Sequence, residues 1–168
     1  TFVLFYLMTV FTLSWGTSAL HYGREKFLIM QLFGIVCFAL TIPLAARMAE
    51  RARRSTMIGI TIAIALFGLV MAPMFVAGTV GAVVTMAIGL GLMGMTYGPL
   101  GTVLSEMFPT AVRYTGSSLT FNLAGIFGAS LAPYIATWLA TNHGLPFVGY
   151  YLSAAALLSL AGLLLTQE

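Results

Sequence analysis

The sequence predicts an all-α, polytopic membrane protein with six transmembrane helices, and three observations carry that reading. Hydrophobic residues make up 60% of the 168 positions and charged residues only 7%, whereas a soluble domain carries about a quarter charged residues. The apolar runs are long and continuous rather than alternating with period two. Lipid offers no hydrogen bonds to a backbone, so such runs span as helices. At about 20 residues per span, a chain of 168 residues holds about six spans joined by short loops.

The first span covers 1–20. Tyr6, Thr9, Thr12 and Gly16 recur at steps of three and four and share one helical face. Either a cavity wall or packing between helices accounts for Tyr6. The threonines read as packing, their hydroxyls bonding back to their own helix. The chain opens at Thr1 inside this apolar run with no charged leader, and is expected to be a piece of a longer protein rather than to carry a signal peptide. A short polar turn, His21 to Lys26, follows.

The second span covers 27–48, with Gln31 near one end and Pro43 near the other. Beyond it, Arg47, Arg51, Arg53 and Arg54 lie within eight positions, which marks a cytoplasmic loop by the positive-inside bias. Contact with anionic lipid would explain the cluster equally. The third span, 56–76, is nearly all Ile, Ala, Leu, Met and Gly and reads as scaffold.

The fourth span covers 80–105. Gly91, Gly94, Gly98 and Gly101 form one smooth face, and Gly94 with Gly98 make a small-xxx-small pair suited to close helix contact. Gly98 and Pro99 are expected to interrupt the helix and act as a hinge. Glu106 ends the span, a Phe108-Pro109-Thr110 corner follows, and Arg113 opens the next. The fifth span, 114–141, carries Ser118, Asn122 and Gly125 on one face, with Pro133 breaking its outer half. The sixth, 148–165, is Ala- and Leu-rich scaffold.

Five arginines (47, 51, 53, 54 and 113) fall on one side of this ladder, and Arg24 with Lys26 on the other. The first side is therefore cytoplasmic, as are both ends of the segment. The six spans fit the 3+3 inverted arrangement found within half-transporters.

The net charge of +3 comes from loop arginines and gives no reason to expect nucleic acid. The single cysteine, Cys37, excludes an internal disulfide and a cysteine-built metal site. No span has Asp, Glu, His or Lys at its centre, which argues against an intramembrane enzyme. No metal site is expected.

Two stretches carry a family resemblance. Leu44 to Arg54, LAARMAERARR, resembles the loop between helices 8 and 9 of the major facilitator superfamily, with Glu50 at the family's Asp position. Tyr97-Gly98-Pro99 and Glu106 to Gly116, EMFPTAVRYTG, resemble the helix 10–11 junction of its metabolite:proton symporters, relatives of shikimate, α-ketoglutarate and proline/betaine carriers. Leu131 to Ala136 is similar to helix 11 of that branch.

The resemblance implies the C-terminal half, helices 7 to 12, of a carrier in a bacterial inner membrane. It implies partnership with a six-helix N-terminal half, and symport of a small organic acid or zwitterion with protons by alternating access. The proton gradient supplies the energy and no cofactor is expected. The titrating acid would then sit in the other half. A stand-alone six-helix scaffold or subunit is the alternative. Polarity and helical face nominate Tyr6, Gln31, Tyr97, Phe121 and Asn122 for a solute cavity. Glu50, Arg53, Arg54, Glu106 and Arg113 form the expected cytoplasmic charge cluster.

Overall fold

The computed structural model describes residues 2–18, 21 and 23–165, and these are all helix and short turn, with no strand among them. Four helices are long and apolar enough to cross a membrane, and the apolar helix Phe2–Ser18 is shorter. We label the rods α1 (Phe2–Ser18), α2 (Arg24–Val76), α3 (Thr79–Glu106), α4 (Thr110–Asn142) and α5 (Leu145–Leu165). The outer limits expected for the first span, Thr1 and Leu20, lie outside the described residues.

α2 is not one straight rod. Its 53 residues contain a single non-helical position, Ala52, at φ −152° and ψ 73°. The Thr56 hydroxyl donates to the Met48 carbonyl at 3.3 Å, eight residues back. In a straight helix those positions stand about 12 Å apart, so the two arms fold back on each other. The loop expected between 48 and 56 is thus replaced by helix on both sides of one broken residue. That sharp turn gathers the arginines at one end of the bundle.

The sequence's small residues decide which helices touch. A Cβ on Gly94 would meet Thr41 and the Phe38 carbonyl, and one on Gly98 would lie 2.7 Å from the Ile42 carbonyl. The expected small-xxx-small pair therefore seats α3 against the first arm of α2. The second arm packs on α5 in the same way. A Cβ on Gly68 would sit 2.7 Å from the Gly149 carbonyl, and the Ser153 hydroxyl donates to the Ala65 carbonyl at 2.7 Å. α1 meets α4 through the Phe2–Phe121 edge-to-face pair, 5.0 Å between ring centres, and through Gly128. The core between them is Leu, Met and Phe, including Leu7, Met8, Phe11, Phe27, Phe75 and Met86.

Two turns depart from the α-helix. Leu7–Phe11 in α1 and Phe127–Leu131 in α4 are π-helical. The second lies just before Pro133, which has no N–H for the preceding turn. The wider turn therefore sits where an α-helical bond is missing anyway. The break expected at Pro133 takes this form. By contrast, the interruption expected at Gly98-Pro99 is absent: Pro99 is buried inside a helix continuous from Thr79 to Glu106. The last helix begins at Leu145, three residues earlier than the sequence suggests. Gly144, at φ 103°, turns the chain, and Pro146 fits the first helical turn, where its missing donor costs nothing.

The ends of the bundle are marked by polar contacts. Lys26 Nζ donates to the Thr79 hydroxyl at 3.4 Å at one end. At the other, Arg53 pairs with Glu106, and Arg54 donates to the Leu164 carbonyl at 3.3 Å. Arg24 and Lys26 thus stand at the end opposite Arg53 and Arg54.

Candidate functional site

α4 is the least covered long helix. In its most apolar window 22% of residues are buried, against 50% in α3, and no residue from Arg113 to Ile126 is buried. The segment nevertheless carries Ser117, Ser118, Thr120 and Asn122. An uncovered polar stripe on an apolar helix marks a surface facing water, a ligand or another protein rather than acyl chains.

Three cavities open along α3 and α4. One of about 620 Å³ lies where α3 ends and α4 begins, lined by Ser105, Arg113, Ser117, Ser118, Phe121 and Asn122 with neighbouring residues. A second, about 310 Å³, continues past Phe121 to Gly128 and Tyr151. A third, about 590 Å³, runs between Val3, Thr61, Thr96, Thr120 and Ser159. Leu104 borders all three.

Of the five residues expected around a solute, the structure brings Phe121 and Asn122 together. The Asn122 amide donates to the Ser118 carbonyl at 2.8 Å and to the Ser118 hydroxyl at 3.4 Å, which fixes its side chain along the helix. Tyr97 is half-exposed and packs edge-to-face with Phe38, 6.0 Å between ring centres. Tyr6 is half-buried against Phe5 at 5.1 Å. Neither lines these three cavities.

Gln31 departs furthest from expectation. It is buried, and its amide donates to the Met8 carbonyl at 3.2 Å and the Thr9 carbonyl at 2.7 Å. Both carbonyls belong to the π turn of α1, where the change of register loosens the helix's own bonding. The Gln31 amide adds a donor to each and ties α1 to α2. The threonine hydroxyls bond back one turn, Thr9 to Phe5 and Thr12 to Met8, as expected of packing residues.

In the charge cluster, Arg53 takes Glu106 and is the only ion-pair partner of a carboxylate among the described residues. Arg54 covers the last carbonyls of α5 instead. Arg113 donates from Nε to the Phe108 carbonyl at 3.5 Å and stays apart from Glu106. Glu50 is exposed. Gly98 lies against the first arm of α2, so the expected hinge is packed on one side. No group of three metal-ligating side chains occurs among the described residues.

Sequence reasoning missed the role of the two scaffold helices, whose Thr61, Ile64, Ala155, Ala156 and Ser159 line a cavity. The small residues at 155, 156, 159 and 162 recur at helical spacing and were the available signal.

No family model matches the sequence, and no solved structure matches it. Among known proteins it is 45% identical, over its whole length, to the inner membrane metabolite transport protein YhjE of Escherichia coli K12. It is 32% identical over 94% of its length to a citrate-proton symporter of Salmonella typhi, and 30% identical over 97% to the shikimate transporter of E. coli K12. The chain spans 40%, 37% and 38% of these proteins, respectively. All three are transporters and none is an enzyme.

Proposed function

We propose that this chain, which belongs to the metabolite transport branch of the major facilitator superfamily, is the C-terminal half of a secondary transporter. In this reading the carrier moves a small organic acid or zwitterion with protons across a bacterial inner membrane. The observation that carries it is the polar face of α4, bordered by cavities and left uncovered by the described residues. Relatives named as metabolite, citrate-proton and shikimate transporters support it.

The fold of α2 at Ala52 supports a reading of six spans. A straight helix of 53 residues would be about 80 Å long, far beyond the ~30 Å hydrocarbon core. The contacts then pair span one with five, two with four and three with six. Advancing every span by three returns the same set of pairs, as a 3+3 repeat requires. With the arginine-rich end inside, both ends of the segment are cytoplasmic.

Alternating access needs a second half to close over the α4 face, and a gate. Phe121 and Asn122, with Tyr97 beyond them, supply the solute-facing wall. Arg53 and Glu106 supply the cytoplasmic latch between α2 and α3. Gly98 and Pro99 supply bending in α3 when the packing against α2 loosens. The proton-titrating acid belongs to the other half.

The test is uptake by the full-length carrier in proteoliposomes. Radiolabelled citrate, shikimate, succinate and proline are offered with and without an inward pH gradient. The proposal expects gradient-stimulated accumulation of at least one of them, abolished by a protonophore. Equal equilibration of all with and without the gradient would remove proton-coupled transport.

A further inference from the structure

We propose that the cavity beneath Arg113 is a binding site for the carboxylate of a small organic anion. The assignment rests on the transport reading for its use, as a station on the cytoplasmic side, but not for its chemistry. The cavity measures about 620 Å³, the size of a small-solute site.

Three of the groups that line it, Arg113, Ser117 and Ser118, have protons to offer an anion. Arg113 makes one long bond, from Nε to Phe108 at 3.5 Å, and no ion pair among the described residues. Its terminal nitrogens are left to bind something else, and a guanidinium fork matches a carboxylate through two parallel hydrogen bonds. The carboxylate nearest in sequence, Glu106, is taken by Arg53. The Ser117 hydroxyl is buried with no hydrogen-bond partner, which leaves its proton for a ligand. The Ser118 hydroxyl accepts from Asn122, so its own proton remains free to donate. No Asp or Glu lines the cavity. A cationic group would find no counter-charge there.

The rest of the wall limits what the anion is attached to. Leu104 and Phe121 are apolar, suited to a short hydrocarbon body. The site therefore takes an organic carboxylate in preference to inorganic phosphate. Arg113 is also the first residue of the helix Arg113–Ile126, so the helix dipole adds to the attraction.

Gly101 lines the same cavity, and a Cβ there would meet nothing within 4 Å. A single reporter cysteine, Gly101→Cys with Cys37→Ser, is introduced into the full-length carrier freed of other cysteines. Its maleimide labelling is timed in inverted membrane vesicles. Acetate, benzoate, succinate, citrate and shikimate are added in turn, each beside its methyl ester, with inorganic phosphate at matched ionic strength.

Occupancy by mass action predicts that at least one carboxylate slows labelling by about threefold or more, while its ester does not. Arg113→Gln abolishes the protection and Arg113→Lys retains part of it. Labelling indifferent to all five acids overturns the assignment. So does equal protection by ester or phosphate, or protection that persists in Arg113→Gln. If Arg113→Gln fails to insert, the acid–ester comparison and Arg113→Lys still decide. Protection without uptake would sink the transport reading alone; uptake without protection would sink this site alone.

Discussion

At the scale of single residues, two amides in apolar helices take opposite roles, and packing separates them. Gln31 and Asn122 are the polar side chains most out of place in their spans. Gln31 is enclosed and bonded to the π turn of α1, whereas Asn122 is exposed beside a cavity. Gln31→Leu therefore removes the amide hydrogen bonds that join α2 to the Met8 and Thr9 carbonyls. It should destabilise the protein by about 1 kcal/mol, the scale of a hydrogen bond between membrane helices, with solute affinity retained. Asn122→Ala together with Tyr97→Phe should do the reverse, weakening solute binding while the unfolding midpoint stays in place. Denaturation in detergent and a solute-binding isotherm on the same preparations distinguish the two. A stability loss confined to the Asn122 pair, or an affinity loss confined to Gln31→Leu, would reverse the assignment.

At the scale of elements, one ion pair joins the turn of α2 to the end of α3. Arg53 and Glu106 have side chains 37% and 55% exposed, so solvent screens the pair and its contribution to folding is well under ~1 kcal/mol. In the proposed carrier the pair would serve as a weak latch between α2 and α3. Coupling free energies between conformational states are only about 1–3 kcal/mol, and a helix C-terminus disfavours an unpaired carboxylate. Glu106→Gln keeps the shape and removes the charge. It should raise cytoplasmic labelling of a cavity cysteine and slow transport, with expression unchanged. Unaltered labelling and transport would leave an ordinary surface pair.

The element scale also shows what the sequence could and could not disclose. Charge and spacing announced a cluster around Glu106. They did not choose among Arg53, Arg54 and Arg113, because that choice depends on how sharply α2 turns at Ala52. The Gly94–Gly98 face was legible because glycines at four-residue spacing have one common use. The π turns were not, since no residue in Leu7–Phe11 marks a change of register. A Gly-Pro pair reads as a break from sequence alone, yet Pro99 lies buried inside a continuous helix whose Gly98 packs against the first arm of α2.

At the scale of the whole molecule, the all-helical, membrane-spanning character was legible because long apolar runs without period-two alternation leave the backbone only helices in lipid. Their arrangement was not written locally: it emerges from glycine contacts between distant helices. The resulting bundle leaves the polar face of α4 uncovered, and the account holds that a second half closes there and opens alternately to each side. Two-sided accessibility at that face tests this most directly. Asn122→Cys in the full-length carrier, with Cys37→Ser, is labelled with a membrane-impermeant maleimide in right-side-out and inverted vesicles. The account predicts labelling from both sides, with a transported solute shifting the ratio between them. Labelling from one side only, unmoved by any solute that the carrier accumulates, would contradict it.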